Sequence, residues 1–265
     1  MDKGSVMSRL LLCVWAGLLV PALACAADDI LEHPLFAKPD AVVVVDAKTN
    51  ATATEIIPPC FGRQIKGTKI EVNTTRGWGW VERKQMMTQK EAEKYCEEHK
   101  KEASALHTRS IINLIEGKRD KALSDLNAAL KIDPKYAPAL YGRGSVYAEM
   151  GDFAKAQDDF AAAIKLSPND LLAANDLAWF RATCPEAKYR DGKEAVTQAT
   201  RVCEATKYDN EEFLDTLAAA YAESGDFKTA LKWAAKAAEL DPENPDFAEH
   251  VKLLKAKKPI RDDGK

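Results

Sequence analysis

Four histidines, at positions 33, 99, 107 and 250, are the residues best suited to proton transfer or metal ligation in this 265-residue chain, and no two of them share a motif. A zinc hydrolase would set two histidines around a glutamate on one helix face. A serine hydrolase would place its nucleophile in Gly-x-Ser-x-Gly, and a nucleotide site would need a glycine-rich phosphate loop. None of these strings occurs. Gly142-Arg-Gly144 sits in a helix-patterned stretch and lacks the rest of a dinucleotide fingerprint. The carboxylate pairs Asp158-Asp159 and Glu211-Glu212 are adjacent, so on a helix they point to different sides instead of converging. The chain therefore reads as a non-enzyme, with no metal and no cofactor. Its formal net charge of −3, without clustered Lys or Arg, argues against nucleic acid as a partner.

What does recur is a pattern for packing helices. Gly151, Ala156, Phe160, Ala163 and Pro168 follow Leu140, Gly144 and Tyr147, and moving back 34 positions gives Gly117, Ala122, Leu126, Ala129 and Pro134 after Leu106, Ser110 and Asn113. Gly at the turn admits a left-handed backbone between antiparallel helices, small Ala residues let the helices approach, and Pro ends the unit. A further copy runs Leu214, Tyr221, Gly225, Ala230, Trp233, Ala237 and Pro242. Gly151 and Gly225 are separated by two periods plus six residues, so the unit between them is stretched around Cys184 to Gly192. Period and residue set resemble the tetratricopeptide repeat, a helix–turn–helix unit that stacks into a solenoid.

The resulting division is four repeats over 103–243 (about 103–136, 137–170, 171–210 and 211–243), then a capping helix over 244–257 and a disordered tail over 258–265. Asn244-Pro245 opens the cap, whose Phe247, Val251 and Leu254 face one way while its Glu, His and Lys residues face solvent. Lys255, Lys257, Lys258 and Arg261 read as a solvated helix end. The stretch from Leu177-Ala-Trp-Phe through Cys184-Pro185, followed by Leu214-Asp-Thr-Leu, is similar to exported tetratricopeptide proteins of planctomycete-type bacteria. In those, repeats often follow a small β-domain resembling bacterial SH3.

The first helices of such repeats line a concave groove, and the resemblance implies that the groove holds a peptide. By register the candidates are Tyr141, Ser145, Asn175, Trp179, Glu212 and Asp215, joined by Ser104, His107, Ile111, Glu149, Asp176 and Glu223. The Lys and Asn clamp that related proteins use for a terminal carboxylate is missing, since its positions carry His107, Ile111, Gly142, Leu172 and Asp176. An acidic groove with one Trp suits a partner that offers Lys or Arg beside an apolar anchor. Trp179 also has a plainer reading, as packing between adjacent repeats.

Residues 28–87 read as β. Ala41–Asp46, Ala53–Ile57, Lys66–Val72 and Gly77–Val81 are strand candidates. Lys66-Gly67-Thr68 and Gly79-Trp80-Val81 resemble the bacterial SH3-like barrel, in which Trp78 and Trp80 would offer a ligand surface or pack the core. Thr88-x-x-Glu91 is a capping box, opening a linker helix over 88–102 that no Gly or Pro separates from the first repeat. At the start, Lys3 and Arg9 precede an apolar run ending in Ala24-Cys-Ala26, which reads as a signal peptide over 1–26, with a lipoprotein anchored through Cys25 as the lesser alternative. Its removal leaves no membrane span.

Export admits disulfides. Cys184 and Cys203, however, lie near opposite ends of antiparallel helices, on the order of 15–20 Å apart, where a bridge needs about 6 Å. They read as free thiols, while Cys60–Cys96 stays open. The fold expected is α+β in two domains, a tetratricopeptide solenoid (superhelix) behind a small SH3-like β-barrel. The expected function is an exported scaffold in the periplasm or cell envelope that binds a protein or peptide of basic character. The alternative is a structural, self-associating envelope protein whose SH3-like module contacts cell-wall material.

Overall fold

The computed structural model describes residues 35–37, 43–46, 51–53, 62–66, 69–74, 77–82 and 86–262. The expected signal peptide, Cys60 and residues 54–57 of the second strand candidate lie outside them. The chain divides into two compact units between Val146 and Tyr147.

Among the described residues the first unit has seven strands: β1 (Leu35–Ala37), β2 (Val43–Asp46), β3 (Ala51–Ala53), β4 (Gly62–Lys66), β5 (Lys69–Thr74), β6 (Gly77–Glu82) and β7 (Met86–Thr88). β2 to β6 form an antiparallel sheet in the order β3-β2-β6-β5-β4, and β1 pairs with β7 in a second, two-stranded sheet. The Gly-Trp-Gly-Trp-Val run is thus the middle strand β6, where Trp78 lies opposite Asn73 and Trp80 opposite both Glu71 and Val44. β1, β4 and β7 go beyond the four strands expected from the sequence, and β3 shares only Ala53 with the expected Ala53–Ile57. β1 and β7, of three residues each, carry too little alternation to register as a pattern. Two separate sheets are described, and no closed barrel is formed by these residues.

Thr88 caps α1 (Gln89–Glu98) through the expected reciprocal box: the Glu91 N–H donates to its hydroxyl, and its own N–H donates to the Glu91 carboxylate at 2.7 Å. Contrary to expectation, α1 does not run into the first repeat. His99 lies over the Tyr95 ring with Nδ1 2.9 Å from the Tyr95 carbonyl oxygen, and the chain turns through 99–102 before α2 (Ala103–Ile115) begins. Glu97 to Glu102 carries no apolar side chain to bury. Turning back instead lets Ala92 and Cys96 share a core with Phe36, Met87, Ile111 and Ile112.

α2 forms a hairpin with α3 (Arg119–Ile132) across Gly117, whose φ of 71° needs glycine. α4 (Ala137–Glu149) crosses the division between units. The second unit continues with α5 (Phe153–Leu166), α6 (Leu171–Thr183), a 3-10 turn (Ala187–Tyr189), α7 (Gly192–Ala205), α8 (Glu211–Glu223), α9 (Phe227–Leu240) and α10 (Pro245–Lys255). Gly151 and Gly225 also take positive φ, at 77° and 89°. The stretched unit lacks this glycine. Pro185 ends α6, the 3-10 turn spans the insertion, and Asp191 caps α7 by accepting from the Glu194 N–H. Ala195, Ala199, Ala230, Ala234 and Ala237 have no exposed surface, so the helices meet through small residues. α8 is enclosed nearly all round, with every residue from Phe213 to Ala220 buried.

Candidate functional site

In the second unit the first helices of two repeats, α6 and α8, lie against each other, and the acidic and aromatic residues expected on them do meet. Trp179 is 5% exposed, and its indole ring lies 6.0 Å from the ring of His250 on α10. His250 Nδ1 is 2.8 Å from Oδ1 and 2.9 Å from Oδ2 of Asp215, a fully buried carboxylate. His250 therefore belongs to the packed face of the capping helix and not to its solvated side, as its residue type had suggested. A buried carboxylate needs such a partner to offset its desolvation. Asn175 is buried and donates to Asp176, while Glu212 is partly exposed at the start of α8.

The C-terminal segment completes this face. Residues 258–262, expected as disordered, run back across the end of α6. Ile260 is 1% exposed within the core of the unit. Arg261 donates to the Ala182 carbonyl at 3.1 Å and pairs with Glu223. The Asp262 N–H donates to the Thr183 carbonyl at 3.0 Å, and the indole N–H of Trp179 donates to the Asp262 carboxylate at 3.2 Å. Arg261 is thus an anchored side chain and not part of a solvated basic helix end. Glu223 holds a second guanidinium, Arg190, at 2.9 Å, and Arg190 in turn donates to the Cys184 and Pro185 carbonyls. Gly192 permits this convergence: a Cβ there would lie 2.7 Å from the Ser224 nitrogen and 2.8 Å from the Glu223 carbonyl carbon.

Beside the segment is a cavity of about 230 Å³. Phe153, Phe160 and Phe180 form its apolar wall, with ring centroids of 6.3 Å between Phe153 and Phe180 and 5.7 Å between Phe160 and Phe180. Glu149, Asp176 and Asp262 supply carboxylates, and Trp179 lines it as well. Glu149, Asp176 and Trp179, expected on one face from register, all line this cavity. Register missed the aromatic wall, Arg190 and the 260–262 segment. The isolated Pro259-Ile260 in a polar tail was the one available signal.

The first unit places its candidates differently. Ser145 is buried and donates to the Tyr141 carbonyl within α4, and Tyr141 is half-buried. His107 lies edge-on to Tyr136 with centroids 5.8 Å apart, and desolvation pushes its pKa down to about 4. Ile111 is core, packed with Phe36 and Cys96, so it does not face a ligand. Cys96, Cys184 and Cys203 carry free, buried thiols. Burial pushes Cys96 up to about 11 and Cys203 up to about 12, which leaves both as unreactive thiols at neutral pH. Among the described residues no group of His, Cys, Asp and Glu could hold a metal ion, and no helix is long and apolar enough to cross a membrane.

Comparison with known proteins agrees with the helical architecture. The family described as tetratricopeptide repeat matches residues 137–170 and 212–244, and the TPR repeat matches 114–151. A comparison with curated proteins finds no match. Among solved structures, YrrB, described as a TPR protein with an unusual peptide-binding site, is 23% identical over 62% of this chain and 82% of its own, with a TM-score of 0.49. PilW, a type IV pilus biogenesis factor, is 18% identical over 58% of this chain and 69% of its own, at 0.52. A chain of the APC/C hetero-tetramer Cut9–Hcn1 is 17% identical over 63% of this chain and 32% of its own, at 0.53. At such identities the likeness speaks to fold alone. Tetratricopeptide repeats are thus matched over residues 114–170 and 212–244 of this chain.

Proposed function

We propose that the chain is an exported interaction scaffold that holds an extended segment of a partner protein on the α6–α8 face and performs no catalysis. One observation carries this reading. The face already holds a non-helical stretch of polypeptide, through side-chain pairing with Glu223 and Trp179 and through hydrogen bonds to carbonyls at the end of α6. The adjoining cavity, walled by Phe153, Phe160 and Phe180, offers Glu149 and Asp176 beside the tail's own Asp262, and suits a Lys or Arg whose apolar stem packs on the rings while its charge meets the carboxylates of Glu149 and Asp176. Within the second unit, Asn175, Glu212 and Asp215 are assigned supporting roles along α6 and α8. Export rests on the signal sequence in 1–26, and a second contact surface rests on the SH3-like resemblance around Trp78 and Trp80.

An array of extended peptides graded in charge, probed with the full chain, tests this function. Retained peptides should carry Lys or Arg next to an apolar residue, and Asp176→Lys should abolish their retention. Retention independent of peptide charge would contradict the reading.

A further inference from the structure

The α6–α8 face has a resident ligand in the chain itself, and the chemistry of that contact specifies what a competing partner must offer. α6 ends with carbonyls that need donors from elsewhere. The Phe180 oxygen takes the Cys184 N–H and the Arg181 oxygen takes the Asp191 N–H, both within the stretched repeat. The Ala182 and Thr183 oxygens are satisfied from the far end of the chain, by the Arg261 guanidinium and the Asp262 N–H. A guanidinium at this helix end also meets the negative pole of the helix dipole.

The path back to the face is built locally. Lys257 takes φ of 53°, and the Lys257 and Lys258 N–H groups close on the Leu254 and Leu253 carbonyls, turning the chain as α10 ends. Pro259 prevents further helix. Ile260, Arg261 and Asp262 then dock by three separable contacts: an apolar side chain in the core, a guanidinium on Glu223, and a carboxylate on the Trp179 indole. Any extended segment with that order of side chains could make the same three.

We propose that Ile260-Arg261-Asp262 is an intramolecular ligand that closes the Trp179 face, and that the partner presents the same order, apolar then arginine then carboxylate, and opens the face by replacing it. This rests on the reading that the face binds peptides. A tether this short gives the tail an effective concentration on the order of millimolar, so the partner must outcompete a local ligand. If the closed form is ~90–99% of molecules, removing the tail strengthens peptide binding by about 10- to 100-fold.

The test titrates a fluorescent Lys-Pro-Ile-Arg-Asp-Asp peptide into the full chain and into the full chain carrying Ile260→Ser and Arg261→Glu, followed by anisotropy. The opened chain should bind at least about tenfold tighter than the intact one, and a peptide with glutamate in place of its arginine should bind neither. Arg261→Glu alone, at a partly exposed side chain, gives the same comparison if the double variant melts early. Equal affinities, or no binding to an opened chain that melts like the intact one, would overturn the proposal. So would a dimer of the intact chain that the peptide dissociates, because the tail would then sit on a second copy. If basic peptides from the array bind intact and opened chains alike, the tail is no ligand while the scaffold function stands. If they bind neither, the scaffold function falls with it.

Discussion

The first and third repeats use one pattern and resolve it in opposite ways. In the first, α2 and α3 close over Gly117, and the polar groups between them satisfy each other. Arg109 reaches Asp125 with two nitrogens, at 2.9 and 2.6 Å, and Asn113 donates to the same carboxylate at 2.9 Å. In the third, the insertion removes the turn glycine and separates the helix ends, so the carbonyls closing α6 depend on Arg190 and on a segment nearly eighty residues away. A closed repeat has nothing left to offer. In the stretched one, acceptors at the end of α6, a carboxylate and an indole are met by residues 261 and 262, and there the candidate face is found.

Glycine substitutions should break this contrast most sharply. Gly192→Ala drives a Cβ into the Ser224 and Glu223 backbone, which cannot yield as a side chain can. It should cost about 3 kcal/mol and lower the melting temperature by roughly 6–12 °C. Gly142→Ala meets the flexible end of Leu126 at 3.2 Å and the His107 ring at an ordinary 3.9 Å, and gains helix propensity, so its melting temperature should stay within about 2 °C of the parent. Next, Asp125→Ala strands Arg109 and Asn113 inside the closed repeat and should cost about 2 kcal/mol in urea unfolding. Glu223→Gln should cost less, about 1 kcal/mol, because the amide oxygen can still accept from Arg190 and the tail can detach instead of staying buried and unpaired. Its signature is faster amide exchange at Ile260 to Asp262, and unchanged exchange there would remove Glu223 from the anchoring role.

At neutral pH the smallest effect belongs to His107 in the first unit. Its pKa is pushed down to about 4 by desolvation, whereas an unfolded histidine titrates near 6.5. The unfolded chain then binds the extra proton first, so stability should fall as pH drops from about 6.5 toward 4 and level off below. His107→Gln should flatten that part of a melting-versus-pH curve. An unchanged slope would assign it to other groups.

How far the sequence reached follows the same division. Gly117, Gly151, Gly225 and the buried alanines were legible because local sterics dictate them at a fixed period. The docked tail was not, since its turn uses Lys257 where glycine would have signalled it, and its contacts require the displaced end of α6. His250 is a different lesson. Phe247, His250, Val251 and Leu254 follow helical spacing, so register already put it on the packed face, and its polarity misdirected the reading. Trp179 is packed, buried beneath the segment that its indole N–H holds.

The most direct measurement of the central claim is hydrogen exchange at the Asp262 amide of the intact chain during titration with a peptide bearing Ile-Arg-Asp. The amide should be protected in the free chain, through its bond to Thr183, and should lose protection in step with peptide saturation. An amide that exchanges freely from the outset, or one that stays protected when the peptide is bound, would contradict a face that holds one extended segment at a time.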